Sequence, residues 1–215
     1  MFITLEGPEG CGKTSQIALL GEFLRQQGRS VVLLREPGGT TIGDQVRAVL
    51  LSMKNQEMCT RTEILLFQAS RAQLVEQVIR PRLAQGDLVL CDRYADSTLA
   101  YQGYGYQKFH LAELKRLVDF ATGGLKPDLT LLLDVDVETG LQRRMQGGGV
   151  NRLDALELDF HRRVRQGYLE MARAEPQRWE IIDAGQSLED VQQALRQVVT
   201  QRLQLSWSPE SGGPG

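Results

Sequence analysis

The 215-residue sequence predicts a three-layer α/β/α fold, in which helices cover both faces of a five-stranded parallel sheet. Short apolar runs alternate with segments whose apolar residues recur at helical spacing, which is the pattern of repeated β-α-β units. A glycine-rich segment lies between the first apolar run and the first helical pattern. Other apolar runs end in polar residues, which are therefore expected at the carboxyl edge of the sheet, where ligands bind in such folds.

Five apolar runs predict the strands, at residues 2–5, 31–34, 88–91, 129–133 and 179–182. The run at 31–34 does not alternate with polar residues, which is typical of a strand that is buried on both faces. Because helical patterns separate the runs, we expect each strand to be parallel to the next one in the sheet.

Capping patterns predict where two of the helices begin. Thr60-x-x-Glu63 fits a capping box at the start of a long helix, which should end near Pro81. Ser187-x-x-Asp190 predicts the start of the last helix in the same way.

Glycines divide other parts of the chain. The glycine-rich and aromatic segment 101–106 is expected to be a loop, and the glycines at 147–149 should interrupt a helical pattern that resumes at about 154–172. One domain is expected over residues 1–205. Residues 206–215 are rich in Ser, Pro and Gly, which predicts a disordered tail.

Composition excludes several classes of protein. Hydrophobic residues make up 41% of the chain and charged residues 24%, as in ordinary soluble domains. The net charge of −2 argues against a protein that binds nucleic acid polymers. No apolar run approaches the roughly 20 residues that span a bilayer, and the start of the chain lacks a signal-peptide pattern. Cys11, Cys59 and Cys91 fit no metal-ligand spacing and form no disulfide framework, so we expect a cytoplasmic protein. Without a membrane-spanning run, the protein is expected to bind no membrane.

Residues 7–14 read G-P-E-G-C-G-K-T and match the phosphate-binding pattern G-x-x-x-x-G-K-[ST] of P-loop NTPases. Backbone N–H groups of such a loop hold phosphate oxygens, and the following helix adds its positive N-terminus. Lys13 would reach the β- and γ-phosphates, and the Thr14 hydroxyl would ligate Mg²⁺. The predicted triphosphate-binding residues are Gly7, Pro8, Glu9, Gly10, Cys11, Gly12, Lys13 and Thr14.

A second set of cations is expected if the triphosphate donates a phosphoryl group to another anion. Arg47, Arg71 and Arg93 are candidates, because guanidinium groups bind phosphate oxygens through two hydrogen bonds. Arg93 is favoured, since it follows a predicted buried strand and Asp92. Phe67 shares a helix face with Arg71 and could stack on a base, although its spacing alone favours a core residue.

Several motifs together resemble the bacterial thymidylate kinases. They are the phosphate loop, R-E-P-G-G-T at 35–40, L-F-x-A-x-R at 66–71, D-R-Y at 92–94 and D-S-x-x-A-Y-Q-G at 96–103. The resemblance extends from about Phe2 to Arg202. It implies a P-loop NTPase fold with a helical lid, transfer of the γ-phosphate of ATP to dTMP to give dTDP and ADP, a requirement for Mg²⁺, and a homodimer.

The resemblance also implies how the thymine base is held. Phe67 would stack on the base, and Arg71 would donate a hydrogen bond to its O4 atom. Ser97 and Gln102 would read the base or line its pocket. Tyr101 would crowd the 2′ position of the sugar and so disfavour a ribonucleotide. Discrimination between dTMP and dUMP is left open, because one missing methyl group is worth only about 1 kcal/mol.

Other implied roles concern phosphates and metal. Arg47 and Arg93 would hold the monophosphate, and Glu9 would approach the 3′-hydroxyl of the acceptor. Glu36 and Asp92 would lie near the metal or its waters, with Thr14 as a second metal ligand, although Asp92 could instead cap the turn after its strand. The implied substrate-binding residues are Glu9, Glu36, Pro37, Arg47, Phe67, Arg71, Arg93, Ser97, Tyr101 and Gln102.

A lid is implied at about residues 143–154. Because Gly10 stands where some family members have arginine, the lid is expected to supply a catalytic arginine. The expected catalytic residues are Lys13, Arg93, Arg143, Arg144 and Arg152. The sequence departs from the family at Q-G-G-G, residues 146–149, where basic residues are frequent, so the catalytic lid arginine is left open between three candidates. A solvated helix face is the alternative for Arg143 and Arg144.

A GTP-driven switch is an alternative that also requires a phosphate loop. Such proteins carry an Asn-Lys-x-Asp motif that reads guanine, and the sequence has none. Asp183 to Gln186 partly resemble a switch motif, but they follow the last predicted strand. The resemblance instead implies that residues 183–187 lie near adenine.

Overall fold

Five parallel strands form one sheet in the computed structural model, which describes residues 1–147 and 151–205. The order across the sheet is β2-β3-β1-β4-β5. The strands are β1 Phe2–Glu6, β2 Val31–Arg35, β3 Leu88–Asp92, β4 Leu129–Asp134 and β5 Trp179–Asp183. These bounds confirm all five strands that the apolar runs predict.

Helices connect the strands on both faces of the sheet. They are α1 Lys13–Gln26, α2 Thr41–Leu51, α3 Thr60–Leu74, α4 Arg80–Ala84, α5 Ala95–Thr98, α6 Leu111–Thr122, α7 Val137–Gln146, α8 Leu158–Ala174 and α9 Leu188–Leu203. Two π-helical segments, Val75–Ile79 and Leu99–Gly105, continue α3 and α5 without a break. None of the helices in the described residues is long and apolar enough to cross a membrane.

Burial along the sheet follows the position of each strand. Every residue of β1 is buried, because β3 and β4 flank it and helices cover both faces. Strand β2 is only half-buried, so the expectation of burial on both faces at 31–34 is wrong. The reason is that β2 is an edge strand with a single neighbour. Parallel registers pair Leu5 and Arg35 with Asp92, which brings the carboxyl ends of three strands together.

The long helix after residue 60 differs from its prediction at both ends. Cys59 is the N-cap and makes no side-chain capping bond, so the predicted capping box is wrong: the Glu63 side chain turns into the interior. Pro81 does not end the helix, which continues to Ala84. In the π-helical segment before it, the Arg80 N–H bonds to the Val75 carbonyl five residues earlier. Such a widened turn accommodates a residue that has no N–H to donate.

Two other boundaries also differ. Segment 101–106 is not a loop, because its first five residues belong to the π-helical segment that packs against α8. Helix α8 begins at Leu158 rather than at Asp154. The predicted cap of α9 is confirmed, since the Ser187 hydroxyl accepts a hydrogen bond from the Asp190 N–H. The predicted disordered tail at 206–215 and residues 148–150 lie outside the described residues.

Candidate active site

The segment 7–14 forms a tight loop between β1 and the N-terminus of α1. Gly12 is the N-cap of α1 and has a φ of 88°, a left-handed conformation that favours glycine. The first turn of α1, which lies wholly in the described part of the chain, has no acidic residue. Its free N–H groups and positive dipole end therefore make this edge of the sheet suitable for an anion.

The side chains of Lys13 and Thr14 contact the backbone of the loop and the end of β3. The Lys13 ammonium donates to the carbonyls of Gly7 and Pro8, at 3.1 and 2.9 Å. The Thr14 hydroxyl donates to Oδ2 of Asp92 at 2.8 Å. Thr14 and Asp92 thus offer two hard oxygen atoms beside the phosphate loop, as Mg²⁺ requires.

Helix α7 packs very closely on the loop at Gly10. A Cβ atom built on Gly10 would lie 1.8 Å from the Gly140 carbonyl oxygen, and one on Gly140 would lie 2.3 Å from the Glu9 carbonyl oxygen. Gly10 also has a φ of 69°. A larger residue at position 10 is therefore excluded by the backbone of α7, in addition to the strain of a positive φ.

Arg93 leaves the end of β3 with a φ of 69°, which is unusual for a residue other than glycine and frequent at functional sites. Its guanidinium group donates to the Gly7 carbonyl at 3.1 Å and to Glu9 at 2.9 Å. It also contacts the hydroxyl groups of Tyr101 and Tyr168, at 2.9 and 3.2 Å. Arg93 therefore lies against the phosphate loop, as the sequence predicts.

Two neighbouring cavities meet at these residues. One extends along the phosphate loop and is lined by Lys13, Thr14 and Arg144; the other extends toward α3 and is lined by Phe67 and Gln102. Both cavities share four lining residues, which are Glu9, Arg47, Arg93 and Asn151. The guanidinium groups thus lie where the two cavities join.

The charges at this junction favour bound anions. Burial, and then the neighbouring charge of Arg35, lower the pKa of Arg47, with Arg93 adding to the effect. Although burial opposes ionisation of Glu9, the charges of Arg93 and Lys13 hold its pKa at about 2. Glu9 is therefore a carboxylate at neutral pH, and it accepts a hydrogen bond from the Tyr101 hydroxyl at 2.7 Å.

The second cavity contains most of the residues that the sequence predicts for the acceptor. Its remaining lining includes Pro37, Leu51, Ser97, Thr98, Tyr101 and Leu153. Phe67 is partly exposed into this cavity and belongs to none of the described core clusters, which favours the stacking role over the core role. Thr98 was not predicted. Only its position next to Ser97 could have suggested it, because its partners are remote in sequence.

Arg71 and Glu36 form a buried ion pair behind the cavity instead of lining it. The Arg71 side chain is 1% exposed, and its Nε donates to Glu36 at 2.8 Å. Its other nitrogens donate to Gln68, to Thr98 and to the Tyr94 carbonyl. Arg71 therefore approaches the cavity only through Thr98. A direct contact between Arg71 and O4 of thymine stays a prediction.

The three candidate lid arginines have different surroundings. Arg143 donates to the carbonyls of Ala184 and Gly185, at 2.7 and 3.4 Å, after β5. Arg144 pairs with Asp154 at 3.1 Å and lines the cavity at the phosphate loop. Arg152 pairs with Glu63 of α3 and donates to the Leu50 carbonyl. Of the three, the structure brings Arg144 to the phosphate loop.

Comparisons with known proteins decide the family. The family model described as thymidylate kinase matches residues 5–195. The chain belongs to the thymidylate kinase family. It is 49% identical to a thymidylate kinase of Roseiflexus sp. (strain RS-1) in an alignment of 211 residues that covers 93% of this chain and 93% of that one. It is 50% identical to a thymidylate kinase of Deinococcus radiodurans over 202 residues, covering 94% of this chain and 97% of that one.

A solved structure supports the same family. The chain superposes on the crystal structure of thymidylate kinase from Ehrlichia chaffeensis with a TM-score of 0.77 and 34% identity, over 93% of this chain and 98% of that one. The P-loop NTPase fold and the resemblance drawn from the motifs are thereby confirmed, and the protein is a phosphotransferase that acts on dTMP. The alternative of a GTP-driven switch is wrong.

Proposed function

We propose that this thymidylate kinase transfers the γ-phosphate of ATP to dTMP, giving dTDP and ADP, with the two nucleotides in the two adjoining cavities. The observation that carries the proposal is the junction of these cavities at Arg47 and Arg93, facing the phosphate loop. Phosphoryl transfer depends mainly on placing two anions in line and neutralising their charge. Lys13 and the loop N–H groups would bind the donor, and the two arginines would bind the acceptor phosphate.

The hydrogen-bonding pattern of the second cavity supports a 4-oxo pyrimidine as the acceptor base. The Thr98 hydroxyl oxygen accepts from Arg71 at 2.8 Å and from Gln68 at 3.0 Å, so its own proton is available to the cavity. The Gln102 amide donates to Glu63 at 2.8 Å, which leaves its carbonyl oxygen as an acceptor. A donor beside an acceptor matches O4 and N3–H of thymine, whereas cytosine presents the reverse pattern.

Mg²⁺ fits the donor set beside the phosphate loop. The ion is usually held by one or two protein oxygens together with phosphate oxygens and water. Thr14 and Asp92 would supply the protein oxygens, directly or through water. Bound Mg²⁺ would neutralise negative charge on the phosphates of ATP.

Arg144 is the lid arginine that we assign to catalysis, because it lines the phosphate-loop cavity and contributes to the low pKa of Glu9. Arg143 would serve the adenine side through residues 184–185, and Arg152 would anchor the lid to α3. The lid at about 143–154 would exclude water when it closes over ATP.

A coupled assay of ADP release, with ATP and Mg²⁺ against a panel of nucleoside monophosphates, tests the proposed function. We expect the highest kcat/KM for dTMP, a lower value for dUMP and very low activity with dCMP. An equal or higher kcat/KM with dCMP would refute the assignment of the base pocket. GTP in place of ATP tests the choice of donor in the same assay.

A cytoplasmic homodimer is part of the proposal. Neighbouring helices α2, α3 and α6 carry large apolar side chains that are exposed to solvent, with Phe120 89% and Leu65 58% exposed. Exposed apolar side chains on adjacent helices favour burial against a second copy of the chain. Light scattering after gel filtration should give twice the 24.1 kDa mass of one chain. A Leu65→Asp variant should shift the mass toward that of one chain.

A further inference from the structure

Glu63 is a buried carboxylate that lies between the acceptor cavity and the predicted lid. Its side chain is 1% exposed. Oε1 accepts a hydrogen bond from Nε2 of Gln102 at 2.8 Å. Oε2 pairs with Arg152 and accepts from the Tyr106 hydroxyl at 3.2 Å. Glu63 does not line the cavity, so any effect on the base would pass through Gln102.

Charge decides which end of the Gln102 amide faces Glu63. A carboxylate accepts hydrogen bonds and has none to donate, so it holds the amino end of the amide. The Gln102 carbonyl oxygen has no hydrogen-bond partner among the described residues, and Gln102 lines the cavity. The amide therefore offers an acceptor, not a donor, to a base.

Arg152 and Tyr106 both contact Oε2, the oxygen of Glu63 that does not bond to Gln102. The Arg152 guanidinium group forms an ion pair with Oε2 and donates a hydrogen bond to it. Burial, and then the charge of Glu63, raise the pKa of Tyr106 to about 12, so its hydroxyl stays protonated and donates to the carboxylate. Among the described residues, every hydrogen-bond partner of the Glu63 carboxylate is a donor. The Gln102 amide therefore keeps its amino end toward Glu63.

We propose that Glu63 is a positioning residue for base specificity, because it fixes the Gln102 amide so that the enzyme accepts bases with an N3–H donor and rejects cytosine. The proposal rests on the proposed function, in which Gln102 faces the pyrimidine. A base whose N3 is an acceptor would meet the Gln102 oxygen without a proton between them. Two facing acceptors in a buried site have no hydrogen bond between them, which weakens the binding of that base.

The test is the ratio of kcat/KM for dTMP to kcat/KM for dCMP in wild type and in Glu63→Gln. A neutral amide at position 63 can donate or accept, so the Gln102 amide can turn over and offer its amino end to cytosine. We expect the ratio to fall by ~10–100-fold, the size of one hydrogen bond to a charged group. The ratio of dTMP to dUMP should be unchanged, because both bases carry N3–H.

Tyr106→Phe is the matched control, since it removes a contact of Oε2 and leaves the bond between Oε1 and Gln102 intact. Its dTMP to dCMP ratio should equal that of wild type. A double-mutant cycle with Gln102→Met locates the effect: in that background, Glu63→Gln should no longer change the ratio. A purely structural role of Glu63 would lower kcat/KM for all bases equally and would overturn the proposal.

The exchange Glu63→Gln with Gln102→Glu covers the case in which the single variant does not fold. The exchanged pair keeps one amide and one carboxylate across the same contact, and position 102 again offers an acceptor to the base. We expect the dTMP to dCMP ratio to return to within ~5-fold of wild type, well inside the effect of one such hydrogen bond. A ratio as low as that of Gln102→Met would overturn the proposal. A wild-type enzyme without preference for dTMP over dCMP would instead refute the proposed function.

Discussion

Replacing Glu6 by glutamine should make the free energy of unfolding less dependent on pH. Glu6 ends β1 and is fully buried. It accepts hydrogen bonds from the Tyr94 N–H at 2.8 Å, from Ser97 at 2.6 Å and from Tyr168 at 2.9 Å. Burial, and then the negative charge of Asp96, raise its pKa from 4.5 to about 7, against the opposing effects of its hydrogen bonds and of Arg93.

The sign of the effect follows from proton binding. Between pH 4.5 and pH 7 the folded state keeps the proton on Glu6, whereas the unfolded state releases it. Wild-type stability therefore falls as pH rises through this window, and the loss is complete above pH 7. A shift of about 2.5 pH units corresponds to about 3–4 kcal/mol at 1.4 kcal/mol per unit. The Glu6→Gln variant, which resembles the protonated form, should avoid this loss.

Urea unfolding at pH 5 and at pH 8 measures the difference. The variant and wild type should have similar free energies of unfolding at pH 5, and at pH 8 the variant should be more stable by up to about 3–4 kcal/mol. Glu22→Gln, on the exposed face of α1, controls for the loss of a carboxylate and should show no such change with pH. A difference between Glu6→Gln and wild type that is the same at both pH values would show that Glu6 does not contribute to the pH dependence of stability.

Further predictions concern the lid and the phosphate loop. Arg144→Gln should lower kcat by ~10³-fold, the scale of a lost arginine on a transferring phosphoryl group, in a steady-state assay with saturating ATP and dTMP. Arg143→Gln should mainly raise KM for ATP, and a larger loss of kcat in this variant than in Arg144→Gln would reverse the two roles. Gly10→Ala should lose activity and lower the melting temperature by about 4 °C or more, because its Cβ would lie 1.8 Å from the Gly140 carbonyl oxygen. Wild-type activity of that variant would show that α7 moves away freely.

The parts of the fold that the sequence predicts well depend on local pattern. The central strand β3 is buried on both faces along residues 88–91, and these residues are one uninterrupted apolar run in the sequence. The phosphate loop is contiguous in sequence. Arg93 could be placed beside it because the carboxyl ends of neighbouring parallel strands must meet at the same edge.

The parts that were missed depend on contacts between remote residues. Glu63 looks like a capping residue in sequence, but its partner Arg152 lies 89 positions away. Arg71 looks like a residue that contacts substrate, but Glu36, 35 positions away, takes two of its donors. Segment 101–106 has the composition of a loop, and packing against α8 makes most of it helical. No local pattern contains these partners.

A crystal structure of the protein with dTMP, Mg²⁺ and an ATP analogue that cannot transfer its phosphate is the most direct test. We expect the dTMP phosphate within hydrogen-bond distance of Arg93 and Arg47, in line with the γ-phosphate bound at residues 7–14, with the base against Thr98 and Gln102. A dTMP phosphate out of reach of Arg93, or two nucleotides whose phosphates do not face each other at the junction of the cavities, would rule out phosphoryl transfer between these two cavities.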